Sequence, residues 1–343
     1  MTSDEPAAAL TSAPAGQDWT SRFMRAGDEE RVLALLKRAF KDWPRVDVSV
    51  SPLEHLKWKL DSRPEARRYS TVAETSDGRI VGLQLLFVQR VKVSEQTLLV
   101  IQGVDLCVDP DFQKRGVMAD MRRFAWPTYY RVFDMRMGQT ERVALHKLAR
   151  REGSVRIANA VDILVRRGGD EPETADGRGW EIVTVPRFDE RIDELWREAS
   201  RQFRLILVRS SDYLNWRYDP RGGAFTIKLA QEDGRVLGYT VLTTAGGKGQ
   251  IADLLTRPGR TDVAISLVRE ALVHFGRAGV AKSECWLPTH HPYRGALEGL
   301  GFRETKRTLH LTYGAFRMAE ADLAFLSEAD AAFHYASGDL DLV

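Results

Sequence analysis

Cysteine is scarce: the chain has two, Cys107 and Cys285, each inside an apolar run and neither in a CxxC spacing. That excludes a disulfide framework and a zinc ribbon, and it suits a reducing compartment. Neither sign of charge is in excess. Fifty basic residues against 48 acidic ones leave a net charge of +2, far from the basic surplus of a phosphate-backbone reader, so no nucleic-acid partner is expected. No stretch approaches the ~20 consecutive apolar residues of a membrane span. Residues 1–19 are rich in Ala, Pro and Ser, with neither a basic start nor an unbroken apolar stretch, and read as a flexible tail. A cytoplasmic protein without a membrane partner is the expectation. His290 and His291 are adjacent but have no third ligand at metal spacing, so no metal is expected.

What is present in quantity is globular material. The 343 residues, 43% hydrophobic and 29% charged, are long for one core and comfortable for two. The chain also repeats itself. "HLKWKL" around Trp58 returns as "YLNWRY" around Trp216, and "DGRIVG" at 77–82 returns as "DGRVLG" at 233–238. Asp105 and Pro110 are matched by Asp253 and Pro258, and Gly153 by Gly301. Four landmarks in one order imply a duplicated domain. The expected organisation is residues 20–166 and 180–320, joined by a polar linker at 167–179 and followed by a tail at 321–343. Trp58 and Trp216 read as core anchors rather than ligand stackers.

Each half shows the same succession of elements. A short strand precedes an amphipathic helix, marked by Leu33, Leu36 and Phe40 in the first half and by Ile192, Leu195, Trp196, Ala199 and Phe203 in the second. Two strands joined by an Asp-Gly turn follow, then another strand, a helix, a strand and a final helix. The middle helix of the second half carries Ile265, Val268, Ala271, Leu272 and Phe275 on one stripe.

"VDLCVDPDFQKRGVMADMRRF", 104–124, is the stretch that carries chemistry. An apolar strand ends at Val108, and a basic turn of Gln113, Lys114, Arg115, Gly116, Val117 and Met118 leads into a helix marked by Met121, Phe124 and Ala125. A helix start offers unpaired N–H groups and a partial positive charge; Gly116 permits close backbone approach, and Lys114 and Arg115 add countercharge. Such a turn suits a pyrophosphate. The segment resembles the acetyl-CoA signature of the GNAT N-acetyltransferase superfamily, a strand ending V-x-P followed by [Q/R]-x-x-G-x-[G/A] at a helix start. Val108, Pro110, Gln113 and Gly116 match it, and Met118 departs from the expected small residue. "PYRGALEGLGFRET", 292–305, resembles the late helix and G-F ending of the same domain, so the resemblance covers both halves.

The resemblance implies an α/β (α+β) protein of two tandem GNAT folds, each a mixed, mostly antiparallel splayed sheet flanked by helices. It implies acetyl-CoA, or another acyl-CoA, as co-substrate, with the pantetheine arm pairing to the strand through Leu106, Cys107 and Val108. The acceptor would be a small-molecule or protein amine, and a homodimer is compatible. Opposite Gln113 to Met118 the second half has Thr261 to Ser266, with no glycine and with Asp262. The cofactor is therefore expected in the first half and the second half is expected to be degenerate.

For acyl transfer, a base must take the ammonium proton and an acid must protonate the thiolate. The tyrosine customary in the family is replaced by Ala149 in the first half and Leu297 in the second, with Tyr293 near the latter. Asp105 lies where the family often places an acidic base, although Asp253 at the matching position equally favours a shared structural role. Glu141 and His146 are further catalytic candidates. Cys107 reads as a small hydrophobe rather than a nucleophile. A Fem-like aminoacyl transferase and a non-catalytic acyl-CoA-binding protein remain open as alternatives.

Overall fold

The computed structural model describes residues 18–44, 50–61, 66–141, 153–168, 179–218 and 224–340. In the first half, β1 (Trp19–Phe23), α1 (Glu29–Ala39) and α2 (Pro52–Leu60) precede β2 (Thr71–Thr75), β3 (Ile80–Val93) and β4 (Gln96–Val108). Helix α3 (Val117–Val132), β5 (Met135–Thr140), the two-residue β6 (Val155–Arg156) and β7 (Val161–Arg167) follow. The second half runs β8 (Glu181–Val185), α4 (Arg191–Ala199), β9 (Leu205–Leu207), α5 (Ser211–Arg217), β10 (Phe225–Glu232), β11 (Arg235–Ala245), β12 (Lys248–Thr256), α6 (Thr261–Arg277), β13 (Lys282–Pro288), α7 (Arg294–Gly299) and β14 (Arg303–Ala315).

These elements follow from local sequence. The repeated Asp-Gly pairs close the hairpins: Asp233 and Gly234, both at positive φ, join β10 to β11 in two residues. Ser51 and Glu54 form a capping box at the start of α2, with Pro52 in the first turn. Helix α3 buries Val117, Met121, Ala125 and Tyr129 at the i, i+4 spacing of one face. Helix α6 buries Val268, Ala271, Leu272 and Phe275, while Ile265 is half-buried. In α1 the buried stripe is Val32, Leu35 and Leu36, about one position out of phase with the expected Leu33, Leu36 and Phe40.

One mixed sheet passes through both halves in the order β1-β2-β3-β4-β5-β14-β7-β13-β12-β11-β10-β8. The order is nearly a palindrome. Each half contributes four antiparallel strands and one parallel neighbour, β4 with β5 and β12 with β13. The closing strands are exchanged. Strand β7 ends the first half of the chain but pairs with β13, and β14 ends the second half but pairs with β5; β7 and β14 pair with each other at the centre. The sheet therefore has no break at the expected linker, of which residues 169–178 lie outside the described residues.

Two expectations about the chain ends are corrected or left aside. The segment beyond residue 320 is not a tail: Leu323, Phe325, Leu326, Phe333, Tyr335 and Leu340 are buried in the central core with Val91, Val161, Trp286 and Leu311. Apolar side chains at irregular spacing tie it down where periodicity gave no signal. Of the expected N-terminal tail, residues 1–17 lie outside the described residues. Among the described residues no helix is long and apolar enough to cross a membrane.

The two sheet faces of the first half are covered differently. Leu83, Leu85, Phe87, Val104 and Cys107 pack with α1 and α2, whereas Leu86, Val88 and Ile101 pack with α3. Gly82 lets α3 close on the sheet, because a Cβ there would sit 2.7 Å from Val117.

Candidate active site

The turn between β4 and α3 is built around a buried carboxylate. Asp109 accepts from its neighbour, the Asp111 N–H, at 3.1 Å, and is paired with Arg79 at 2.6 Å and Arg38 at 3.1 Å. Burial opposes its ionisation, but the Arg79 bond and the two positive charges outweigh it and hold the carboxyl below its usual range. This brace escaped the sequence reading because its arginines come from α1 and from the turn just before β3.

The loop it holds is exposed from Gln113 to Gly116. Gly116 sits at φ +91° as the N-cap of α3, without a side-chain cap bond, and a Cβ there would meet no protein atom within 4 Å. The conformation demands glycine and the space outside it is open. Lys114 is also at positive φ, +63°. Arg115 pairs with Asp18 and lies 4.8 Å from the Phe112 ring centroid, so it is anchored at the loop's edge. Gln113 donates a long 3.4 Å bond to the Val108 carbonyl. Val117 is buried and Met118 half-buried beneath the turn.

Beyond this turn the sheet opens. Strands β4 and β5 pair in parallel over Val100–Gln102 and Met135–Met137 only, and past that point they diverge. Asp109 N bonds Val81 O, which turns Asp109 toward β3 and the backbone of Val108 toward the gap. A cleft of about 250 Å³ lies in the splay on the α3 face, lined among others by Gly103, Leu106, Arg122, Trp126, Arg136 and Gly138. Leu106 is 42% exposed at its side. The side chain of Cys107 points away, into the α1/α2 core, where burial pushes its thiol up to about 12.

Of the acid–base candidates, the two that are described, Asp105 and Glu141, take separate partners. Asp105 lies in a β-bulge at φ +44° and faces α1 and α2. Trp43 donates its indole N–H to one carboxylate oxygen at 2.9 Å, and Lys59 pairs with the other at 2.7 Å. Glu141 is exposed and binds Arg307 of β14 at 2.9 Å. His146 lies outside the described residues, as does Ala149.

The second half keeps a glycine before its helix, Gly259 at φ +75° with no atom within 4 Å of an added Cβ, but it shortens the turn and fills the splay. Thr261 to Ser266 are not a loop but the first turns of α6, since only Gly259 and Arg260 separate Pro258 from that helix; the gapless register placed them one helical turn too late. Asp262 pairs with Arg260 at 3.0 Å. On β12, Thr256 matches Val108, and its N–H donates to the Tyr293 hydroxyl at 2.8 Å while its carbonyl accepts from Gln202 at 3.1 Å. Tyr293 thus fills the splay, with Leu297 buried behind it.

Asp253 is sealed into a buried network. It is paired with Arg209 at 3.1 Å, accepts from Tyr239 at 3.0 Å, and lies 3.4 Å from His334, which is bonded to His291 at 2.9 Å. Arg209 also binds Asp339 at 2.8 Å. Burial opposes ionisation of Asp253, yet Arg209 and these donors hold its carboxyl well below the usual range. Burial likewise pushes His291 and His334 down, toward the neutral form. His290 takes no part in these bonds among the described residues.

Residues 20–131 match the family model of the Acetyltransferase (GNAT) domain. No curated protein matches the sequence. Among solved structures, the chain is similar to a probable N-acyltransferase from Enterococcus faecalis, with TM-score 0.67, 12% identity, and 88% of this chain and 73% of that one covered. It is similar to the N-myristoyltransferase of Saccharomyces cerevisiae, solved with myristoyl-CoA, with TM-score 0.64, 10% identity, and 90% and 81% covered. A GCN5-related N-acetyltransferase from Sphaerobacter thermophilus aligns at TM-score 0.55 and 17% identity over 90% of this chain and 98% of that one. The mixed sheet flanked by helices is the fold of these N-acyltransferase structures, and within it residues 20–131 match a GNAT acetyltransferase domain.

Proposed function

We propose that the protein is an N-acyltransferase that holds acetyl-CoA, or a related acyl-CoA, in its first half and transfers the acyl group directly to an amine. The observation that carries this is the contrast between two equivalent sites in one chain. In the first half a glycine at φ +91° opens the head of α3 beside a splayed cleft; in the second, Tyr293 fills that splay. The pyrophosphate would lie against the N–H groups that follow Gly116, with Lys114 at hand, and the pantetheine along Leu106 to Val108.

The amine would enter from the α1/α2 face, where Asp105 stands. Its nitrogen attacks the thioester carbonyl carbon, its proton passes to the Asp105 carboxylate, and the tetrahedral intermediate collapses with loss of the CoA thiolate, which water protonates. Lys59 and Trp43 each use one lone pair of the Asp105 oxygens, and a carboxylate has about four. The acceptor is a small-molecule or protein amine, and the two buried thiols suit a cytoplasmic location. A non-catalytic acyl-CoA-binding role is favoured by one observation, the engagement of both Asp105 oxygens. Turnover with a panel of amines decides between the two. Acyl-CoA binding itself is tested by heat: acetyl-CoA raises the melting temperature, and Gly116→Glu, which puts bulk and negative charge at the phosphate, abolishes the shift.

A further inference from the structure

The cleft in the splay carries a charge that transfer of a plain acetyl group does not need. Arg122 projects from α3 and Arg136 from β5, and both line it. Among the described lining residues there is no aspartate or glutamate; the rest are apolar, glycine or neutral polar groups such as Gln84, Gln139 and Thr312. The guanidinium of Arg136 is held in place by aromatic faces, 4.8 Å from the Trp126 centroid and 5.9 Å from that of Phe316. Burial pushes both arginines down from their usual range, and the charge of Arg122 adds to the push on Arg136. The described lining therefore brings two guanidinium charges into a half-desolvated space whose floor is open at Gly103, where a Cβ would meet no atom within 4 Å.

We infer that this cleft selects an acyl-CoA whose acyl chain ends in a carboxylate, which Arg122 and Arg136 bind at the closed end of the splay. The inference rests on the acyl-CoA reading above. The geometry assigns the carboxylate to the donor: the cleft lies on the α3 face with the Gly116 turn, whereas α1, α2 and Asp105 lie on the other. A planar guanidinium pair matches a carboxylate in bidentate fashion, and charge-assisted bonds in a partly dry cleft outweigh the neutral alternative.

The test is calorimetric binding of succinyl-CoA and butyryl-CoA, which have the same chain length and differ in the terminal carboxylate, to the full chain. Succinyl-CoA is expected to bind about tenfold or more tightly, and the ratio is expected to fall to about one in Arg122→Gln and Arg136→Gln. The wild-type ratio stands even where a variant does not fold. Equal binding of the two by the wild-type protein, or a preference that survives both substitutions, overturns the inference while butyryl-CoA binding leaves the acyl-CoA reading intact. So does a protein–CoA complex that prefers glutamate to its decarboxylated amine while showing no donor preference, because the carboxylate would then belong to the acceptor. Failure of CoA, butyryl-CoA and succinyl-CoA alike to bind overturns the acyl-CoA reading and the inference together.

Discussion

Trp58 and Trp216 stack across the junction of the two halves, with ring centroids 5.3 Å apart and planes 16° from parallel. Each indole donates to the other's main-chain carbonyl, Trp58 at 2.8 Å and Trp216 at 3.3 Å. They are the same residue of the repeated segment, on α2 and α5, and they meet near the axis that relates the halves. Repetition in sequence has become a self-complementary contact in space, as in the isologous interface of a dimer. Trp58→Ala and Trp216→Ala are each expected to cost about 3 kcal/mol. A double-mutant cycle by denaturant unfolding should return a coupling of about 1 kcal/mol, and strictly additive losses would show that the pair does not join the halves.

The two strand aspartates are expected to separate. Asp253→Asn leaves Arg209 fully buried with half its countercharge and should cost about 3 kcal/mol or more of stability without lowering turnover of the folded fraction. Asp105→Asn should lower kcat by roughly 100-fold or more, with acyl-CoA affinity retained. Comparable destabilisation by both, with turnover spared, would assign Asp105 the structural role that its ion pair with Lys59 already suggests.

The hairpins and the glycine turn before α3 were legible because their signals are local. An Asp-Gly pair, a Val-x-Pro strand end and a glycine at a helix start each fix their own backbone. The strand exchange was not, because β7 and β14 close equivalent half-sheets and nothing within either strand specifies which partner it takes; only the packed whole decides. The central core role of Phe333, Tyr335 and Leu340 was hidden for a related reason, since a segment of 3₁₀ turns and extended chain has no period. Arg122 and Arg136 were invisible as a pair because they are brought together by α3 lying over β5.

Acid should loosen the second half before it affects the first. His291 and His334 are buried with lowered pKa values, facing Arg209, Asp253, Asp339 and Tyr239. Their unfolded forms titrate near 6.5. Stability from keeping them neutral is therefore fully present above about pH 6.5 and lost as pH falls below it, because the unfolded chain then binds protons that the folded chain refuses. Two such groups give a slope of about 2.7 kcal/mol per pH unit at its steepest. Melting temperatures between pH 7.5 and 5 should follow this slope, and His291→Gln should shallow it by about half; an unchanged slope would place the acid sensitivity elsewhere.

One acyl-CoA is expected to bind per chain, in the first half only. Between Pro110 and Val117 the first half has a loop ending in a glycine at φ +91°, with Lys114 exposed at its edge. Between Pro258 and Thr261 the second has two residues, and the charge that follows, Asp262, is already paired with Arg260. An anion approaching α6 would find a carboxylate in its first turn, and a pantetheine arm approaching β12 would find the Thr256 N–H taken by Tyr293 and its carbonyl taken by Gln202. Displacing Tyr293 would also strand a buried hydroxyl, at a cost of about 1–3 kcal/mol before any cofactor contact is made. The splay is backed as well by the C-terminal segment, whose Gly338 lies so close to Tyr218 and the Ala252 carbonyl that a Cβ could not be added without moving them. Titration calorimetry with acetyl-CoA should give a stoichiometry near one, and Gly116→Glu should remove the whole signal. A stoichiometry near two, or a site that survives that substitution, would mean that Tyr293 yields to the cofactor and that both halves bind it.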